Sequence, residues 1–218
     1  MKGQAVQIKN IFEEREAAGI ELILKGAINK GILKCDRTEK GDETYTPFYA
    51  VEPVLKYIPA DKTVWCPFDE EWSAYYCLMK ERGYRVIRSS LSEGQDFFRY
   101  EPEAWDIIVS NPPFSKKDRV LERLYSFGKP FAILLPLMAL QGQKRYRYLK
   151  NGVQILAFDR RVCYHRDTGE GACASGCAFP SAYFCHDFLP ESLVLEELVR
   201  YERPLRGGIK DRYYKSWC

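Results

Sequence analysis

Asn111-Pro112-Pro113-Phe114 carries the densest set of chemically useful groups in this 218-residue chain. The Asn111 side-chain oxygen accepts hydrogen bonds, and the Pro112 carbonyl offers a second acceptor. Both prolines fix φ and donate no N–H, so the turn is rigid and its carbonyls stay available. Phe114 adds an aromatic stacking face. Two acceptors on a rigid turn can hold and orient a planar NH2 group, which is positioning and electrostatics rather than acid–base work. Asn111, Pro112, Pro113 and Phe114 are therefore the candidate catalytic residues. By itself, Asn-Pro-Pro is also an ordinary way to stop a strand. What flanks it decides between the two.

The run Asp106-Ile107-Ile108-Val109-Ser110 is apolar and β-branched, as in a buried strand that ends at the turn. Residues 115–127 read as a helix with Val120, Leu121, Leu124 and Phe127 on one face and Ser115 as N-cap. Upstream, 62–66 reads as the first core strand and Pro67-Phe68-Asp69 as a turn. A helix follows over 70–82, stopped by Gly83, and then a second strand over 84–88. This β-α-β unit is the expected start of a Rossmann-like sheet. Further strands are expected at 131–137, 153–158 and 181–185, with a loop and helix over 138–152. Thr46-Pro47 precedes an amphipathic run over 51–58, with Thr46 as expected N-cap and Pro47 at the first helical position. Such a helix start favours a carboxylate ligand.

The bulk numbers narrow the class. Hydrophobic content of 46% supports a sizeable core, and 218 residues suit one domain with a small appendage. No apolar run is long enough to span a bilayer, so no membrane partner is expected. Eight cysteines and a polar start, Met1-Lys2-Gly3-Gln4, point to reduced thiols in a cytoplasm. Net charge is only +3, so a nucleic-acid face must come from local clustering. Such a cluster exists. Residues 141–166 hold seven Lys or Arg against one acid, Asp159, interleaved with tyrosines. Lys116 and Lys117, in the first turn of a helix where the dipole disfavours cations, add to it. Lys116, Lys117, Lys144, Arg145, Arg147 and Arg161 are the candidate nucleic-acid contacts.

The strand with its Asn-Pro-Pro-Phe turn resembles motif IV of amino-methyltransferases, and Thr46-Pro47 resembles their motif X. The set is more specific than either. Trp65-Cys66-Pro67-Phe68-Asp69, Gly94-Gln95-Asp96-Phe97-Phe98, Asn111 to Ser115 and Lys129-Pro130-Phe131 together resemble small phage- and prophage-encoded adenine-specific methyltransferase-like proteins. The resemblance covers about residues 42–190. It implies an α/β, Rossmann-like class I fold dependent on S-adenosyl-L-methionine (SAM), with a mostly parallel, doubly wound sheet and helices on both faces. It further implies methyl transfer to N6 of adenine in nucleic acid, DNA favoured over RNA, in a bacterial or phage-infected host cell. Asn111 and Pro112 would grip the amino group of a flipped base against Phe114. SAM would lie against Tyr45, Thr46, Pro47, Cys66, Pro67, Phe68, Asp69, Ser89, Asp96, Phe97 and Asn111, with Asp96 and Phe97 at its adenine.

Two departures from the family pattern stand out. The turn after the first strand, Cys66 to Glu71, has no glycine, and Arg88-Ser89-Ser90 stands where an acid usually binds the ribose hydroxyls. Ser89, Ser90, Asp69 and Glu70 are the alternatives for the ribose. A methyltransferase fold kept for binding or regulation in a mobile element is the second function consistent with these residues. Methyl transfer to RNA or to a protein glutamine is the third. No large recognition domain is apparent, which leaves room for a protein partner that supplies specificity.

The remaining segments are peripheral. Residues 1–40 read as a helical extension, 41–190 as the main domain, and 191–218 as a tail that begins with a short strand or helix and ends basic and aromatic. Cys173 and Cys177 have a zinc-compatible spacing, but paired Cys-x2-Cys units are missing, and Cys163 and Cys185 suit buried strands. No metal site is assigned, and the loop over 165–180 is placed as a substrate-recognition loop.

Overall fold

A computed structural model describes residues 44–166, 179–201 and 203. The extension over 1–40, the Cys173–Cys177 spacing and the end of the tail lie outside the described residues.

Seven strands form one sheet in the order β3-β2-β4-β5-β8-β6-β9. They are β2 (Thr63–Cys66), β3 (Arg85–Arg88), β4 (Ile107–Ser110), β5 (Phe131–Pro136), β6 (Gln154–Phe158), β8 (Ser181–His186) and β9 (Leu193–Glu196). Pairings β2–β3, β2–β4, β4–β5 and β6–β9 are parallel. β8 lies antiparallel between β5 and β6. The architecture is thus mixed α/β with a mostly parallel sheet, as expected, apart from the reversed β8. The short β1 (Thr44–Tyr45) pairs separately with β7 (His165–Arg166), antiparallel.

The central strands read as they do because water reaches neither face. Every residue of β4 and of β5 is buried, which requires continuous apolar runs instead of alternation. Four helices complete the described structure: α1 (Phe48–Leu55), α2 (Ala74–Glu81), α3 (Lys117–Phe127) and α4 (Gln143–Leu149). α1 packs on α2, and α3 on α4. α1 buries seven of its eight residues, Glu52 being the eighth. That explains a helix apolar almost all round.

Three expected boundaries shift. α1 starts at Phe48, and Pro47 is its N-cap with φ −70° and ψ 152°. Thr46, which precedes a proline and so favours extended backbone, is not the cap. α2 starts at Ala74 rather than at Glu70, leaving Trp72 and Ser73 in the turn. Ser115 is not the N-cap of α3. It lies in a short 3-10 turn, Phe114–Lys116, and Lys116 takes the cap position. β9 lies where the start of the tail reads as a short strand or helix, and as a strand it carries the sheet past residue 190.

The segment between β3 and β4 forms no strand. It contributes an aromatic cluster instead. Trp65 of β2 is fully buried, with Trp105, Phe97 and Phe127 at centroid distances of 5.2, 5.6 and 5.9 Å. Its Nε1–H donates to Ser89 Oγ at 2.9 Å, tying β2 to the end of β3. Asp106 locks the start of β4 to β2: its carboxylate accepts the Thr63 N–H at 2.8 Å.

Candidate active site

Strand order reverses at β2, whose neighbours are β3 on one side and β4 on the other. In open parallel sheets, a crevice forms at the carboxyl ends of strands at such a switch point. Here a cleft is lined by Tyr45, Thr46, Phe68, Asp69, Trp72, Ser73, Ala74, Tyr75 and Asn111. Each comes from an element end. β1 and the approach to α1 bring Tyr45 and Thr46, the turn after β2 brings Phe68 and Asp69, and β4 delivers Asn111. The structure thereby gathers the pieces expected from three separate sequence segments into one wall.

Asp69 is the most unusual group in the cleft. It is 4% exposed. Ser110 Oγ, at the end of β4, donates to its Oδ2 at 2.5 Å. Burial pushes the Asp69 carboxyl up to about 7, against the pull of the Ser110 and Ser73 hydroxyls and with some help from the nearby Glu70 charge. The folded value lies above the ordinary 3.8, so the native state holds more protons than the unfolded chain between the two. Stability therefore falls as pH rises from about 4 to about 7, by an amount on the order of 4 kcal/mol. Chemical denaturation across that range should show this slope in the wild type, and Asp69→Asn should flatten it. A flat wild-type profile would contradict the buried, cation-free environment.

A tyrosine pair fixes the neighbouring wall. Tyr75 and Tyr183 hydroxyls lie 2.9 Å apart, and Tyr183 donates to the Ala50 carbonyl at 3.2 Å. The pair joins α2, β8 and α1 beneath the cleft. Burial raises both hydroxyls well above the usual tyrosine value, so they stay protonated. Tyr45 meets Trp72 edge to face at 4.9 Å, and Phe68 carries the wall on to Phe97 at 4.7 Å.

Several expected site residues serve the scaffold instead. The Cys66 side chain is buried against Met79, with Sγ 3.8 Å from the Met79 sulfur. Pro47 and Pro67 do not line the cleft. Ser89 is buried, and its hydroxyl accepts the Trp65 N–H. Asp96 spends one carboxylate oxygen on the Phe98 N–H at 3.0 Å. Phe97 is 3% exposed within the aromatic cluster. Phe114 requires the clearest correction. Its ring is 2% exposed and meets Tyr164 and Phe179 edge to face at 5.9 and 5.5 Å. A ring enclosed in that way offers no open stacking face. Pro112 is likewise buried, and Pro113 partly so.

Where the resemblance implies a ribose contact, Arg88 is held by Glu71 at 3.2 Å and Glu93 at 2.8 Å. A chain of polar groups runs beside it. Ser90 Oγ lies 2.7 Å from Ser92 Oγ, and Ser92 donates to Glu70 Oε1 at 2.6 Å. Among the four ribose alternatives, Glu70 and Ser90 thus belong to one hydrogen-bonded string across the ends of β2 and β3.

The basic cluster is smaller than its residue count. Arg145 is clamped to Asp118 at 2.5 Å and to the Ala139 carbonyl at 2.9 Å, and it also bonds the Gln141 carbonyl. Arg147 pairs with Glu122 at 3.1 Å and Arg160 with Asp159 at 2.6 Å. Acids of α3 thus neutralise arginines of α4 across 25 or more residues of sequence. Lys117 reaches back to the Phe114 carbonyl at 3.4 Å. Lys116, Lys144 and Arg161 are exposed.

The sequence reading missed Trp72, Ser73 and Tyr75 as cleft residues, and Ser110 as the buried partner of Asp69. Ser73 carried a signal, since a serine ahead of Ala74-Tyr75-Tyr76 is a helix-start residue. Its Oγ accepts the Glu70 N–H at 2.9 Å, closing the turn. Ser110 is adjacent to Asn111, but its pairing with Asp69, 41 residues away, has no local signal. Among the described residues, no cluster of His, Cys, Asp or Glu could hold a metal ion, and no helix is long and apolar enough to cross a membrane.

No protein-family model and no curated protein matches this chain. Among solved structures, it is similar to the methyltransferase subunit of a type I restriction-modification system from Streptococcus thermophilus, with 12% identity and a TM-score of 0.40. The match covers 75% of this chain and 48% of that one. The chain therefore spans about half the length of that subunit.

Proposed function

We propose that this chain is a SAM-dependent amino-methyltransferase whose acceptor is the N6 amino group of adenine in nucleic acid, DNA in preference to RNA. One observation carries the reading. The Asn111-Pro112-Pro113 turn leaves β4 at the switch-point cleft, and Asn111 shares that cleft with Thr46, Phe68 and Asp69. Donor and acceptor elements that are far apart in sequence thus face one space.

The residues present fit the cofactor in kind. A buried carboxylate without a cation suits a ligand that brings positive charge, and Tyr45, Phe68 and Trp72 offer aromatic walls to a nucleoside. SAM supplies a methyl group already activated on a sulfonium, so the chain has no electrophile to generate. Asn111 and the Pro112 carbonyl accept the two N–H bonds of the target amine and draw its lone pair out of conjugation. The rigid prolines hold that geometry. Phe114 braces the turn from within through Tyr164 and Phe179. Glu70, with Ser92 and Ser90 behind it, holds the ribose hydroxyls.

Calorimetric titration with SAM and with S-adenosylhomocysteine tests the cofactor half of the reading. Micromolar binding of both is expected, and folded protein that binds neither would reject it. The nucleic-acid half has its own test. Lys144→Gln should reduce the log–log salt slope of DNA binding by about 0.7–0.9. Arg145→Gln should leave the slope unchanged and lower stability, because Arg145 is committed to Asp118 and two carbonyls. A slope change at Arg145 rather than at Lys144 would overturn that assignment.

A further inference from the structure

Asp69 has a property that the transfer chemistry does not use. A buried carboxylate normally has a cation or a metal beside it, because burial otherwise penalises its charge. Among the described residues, no ion pair reaches Asp69 and no metal cluster surrounds it. Among the described residues, the groups that act on it are the following. Ser110 of β4 and Ser73 of the turn donate hydroxyls, and Glu70 adds a like charge. Cys66 of β2, Tyr75 of α2 and Tyr183 of β8 are all kept neutral by burial. None brings positive charge. Yet Asp69 forms part of the cleft wall, beside Thr46 and Asn111. The place for a cation is therefore on the open side, where a ligand enters.

We propose that Asp69 is a built-in counter-ion for a cationic group of the ligand, and that the cation enters as the Asp69 proton leaves. This rests on the SAM reading above. SAM carries two such groups, its sulfonium and its α-ammonium. Without ligand, Asp69 is a neutral acid over much of the range below neutrality. With the cation in place it is the carboxylate. The cleft then favours cationic ligands over neutral ones of the same shape, and ligand affinity becomes linked to pH.

Calorimetry in two buffers of different ionisation heat reads the number of protons exchanged on binding. The full chain is titrated at pH 6 and pH 8 with SAM, S-adenosylhomocysteine and 5′-methylthioadenosine. With a carboxyl near 7, a cation that lowers it by two units or more releases about 0.8 proton at pH 6 and about 0.1 at pH 8. Release with SAM alone assigns the sulfonium. Release with SAM and S-adenosylhomocysteine, but not with 5′-methylthioadenosine, assigns the α-ammonium. Asp69→Asn should abolish the release and weaken the cationic ligand relative to 5′-methylthioadenosine by about tenfold to a hundredfold. It also subtracts any proton taken up by the ligand itself. If that variant does not fold, the wild-type comparison of the three ligands still decides. Binding without proton release, or equal release with all three, overturns the counter-ion and leaves the SAM reading standing. Binding of none overturns both.

Discussion

Replacing Asn111 with alanine should lower methyl transfer by about a hundredfold to a thousandfold while the SAM Kd changes by no more than about threefold. The asymmetry follows from position. Asn111 leaves the end of β4 into the cleft, whereas the methyl donor is assigned to the walls made by Tyr45, Thr46, Phe68 and Asp69. In the proposed reaction its amide oxygen is the acceptor that orients the target amine. Such an interaction strengthens in the transition state and adds little to binding of the donor. Asn111→Asp keeps an acceptor and adds a charge, so it should retain more activity than alanine. Single-turnover transfer from labelled SAM, with calorimetry on the same preparations, separates the two quantities. Equal losses in transfer and SAM binding would move Asn111 from the acceptor side to the donor side.

Trp65→Ala should destabilise the fold by about 3–5 kcal/mol, the scale for emptying the site of a fully buried large aromatic. Trp65 is 0% exposed and meets Phe97, Tyr100, Trp105 and Phe127. The same change strips Ser89 Oγ of its donor in a buried site, which adds to the cost. Trp65→Phe keeps most of the volume and loses the hydrogen bond, so it should cost less than half as much. Guanidinium denaturation with an unchanged m-value reads both. A loss below about 1 kcal/mol for alanine would mean that the cluster repacks and does not anchor β2. The consequence reaches the site, because β2 runs directly into Phe68 and Asp69. Variants that fold only marginally should also lose cofactor affinity.

Much of this scaffold was legible because its strands are buried on both faces. Runs such as Ile107-Ile108-Val109 and Phe131-Ala132-Ile133-Leu134 leave a signal that needs no partner to be read, and their bounds fell within a residue of those expected. Strand order was less accessible. Nothing within Ser181–His186 says that it lies antiparallel between β5 and β6, since that depends on pairing with residues as far away as Phe131, the partner of His186. β7 is a two-residue pair formed by His165 and Arg166, too short and too polar to register.

The site divides in the same way. Asn111, Thr46 and Asp69 stood out by type and setting, and the fold brings them together. Phe114 stood out too, but an aromatic after two prolines looks the same whether it faces a substrate or a core. Only the contacts with Tyr164 and Phe179 distinguish the cases. Arg145 and Arg147 looked like a phosphate surface because their acids, Asp118 and Glu122, belong to another helix. A charge count along the chain cannot see pairing across space.

Labelled transfer reads methyl transfer to an adenine amino group without an intermediate assumption. The 218-residue chain is incubated with methyl-labelled SAM and mixed-sequence DNA and RNA, single- and double-stranded. The polymers are then digested to nucleosides and separated. Label in N6-methyladenine nucleosides from DNA, lost with Asn111→Ala, is the predicted result. Folded protein that binds SAM and leaves every nucleoside unlabelled would contradict it.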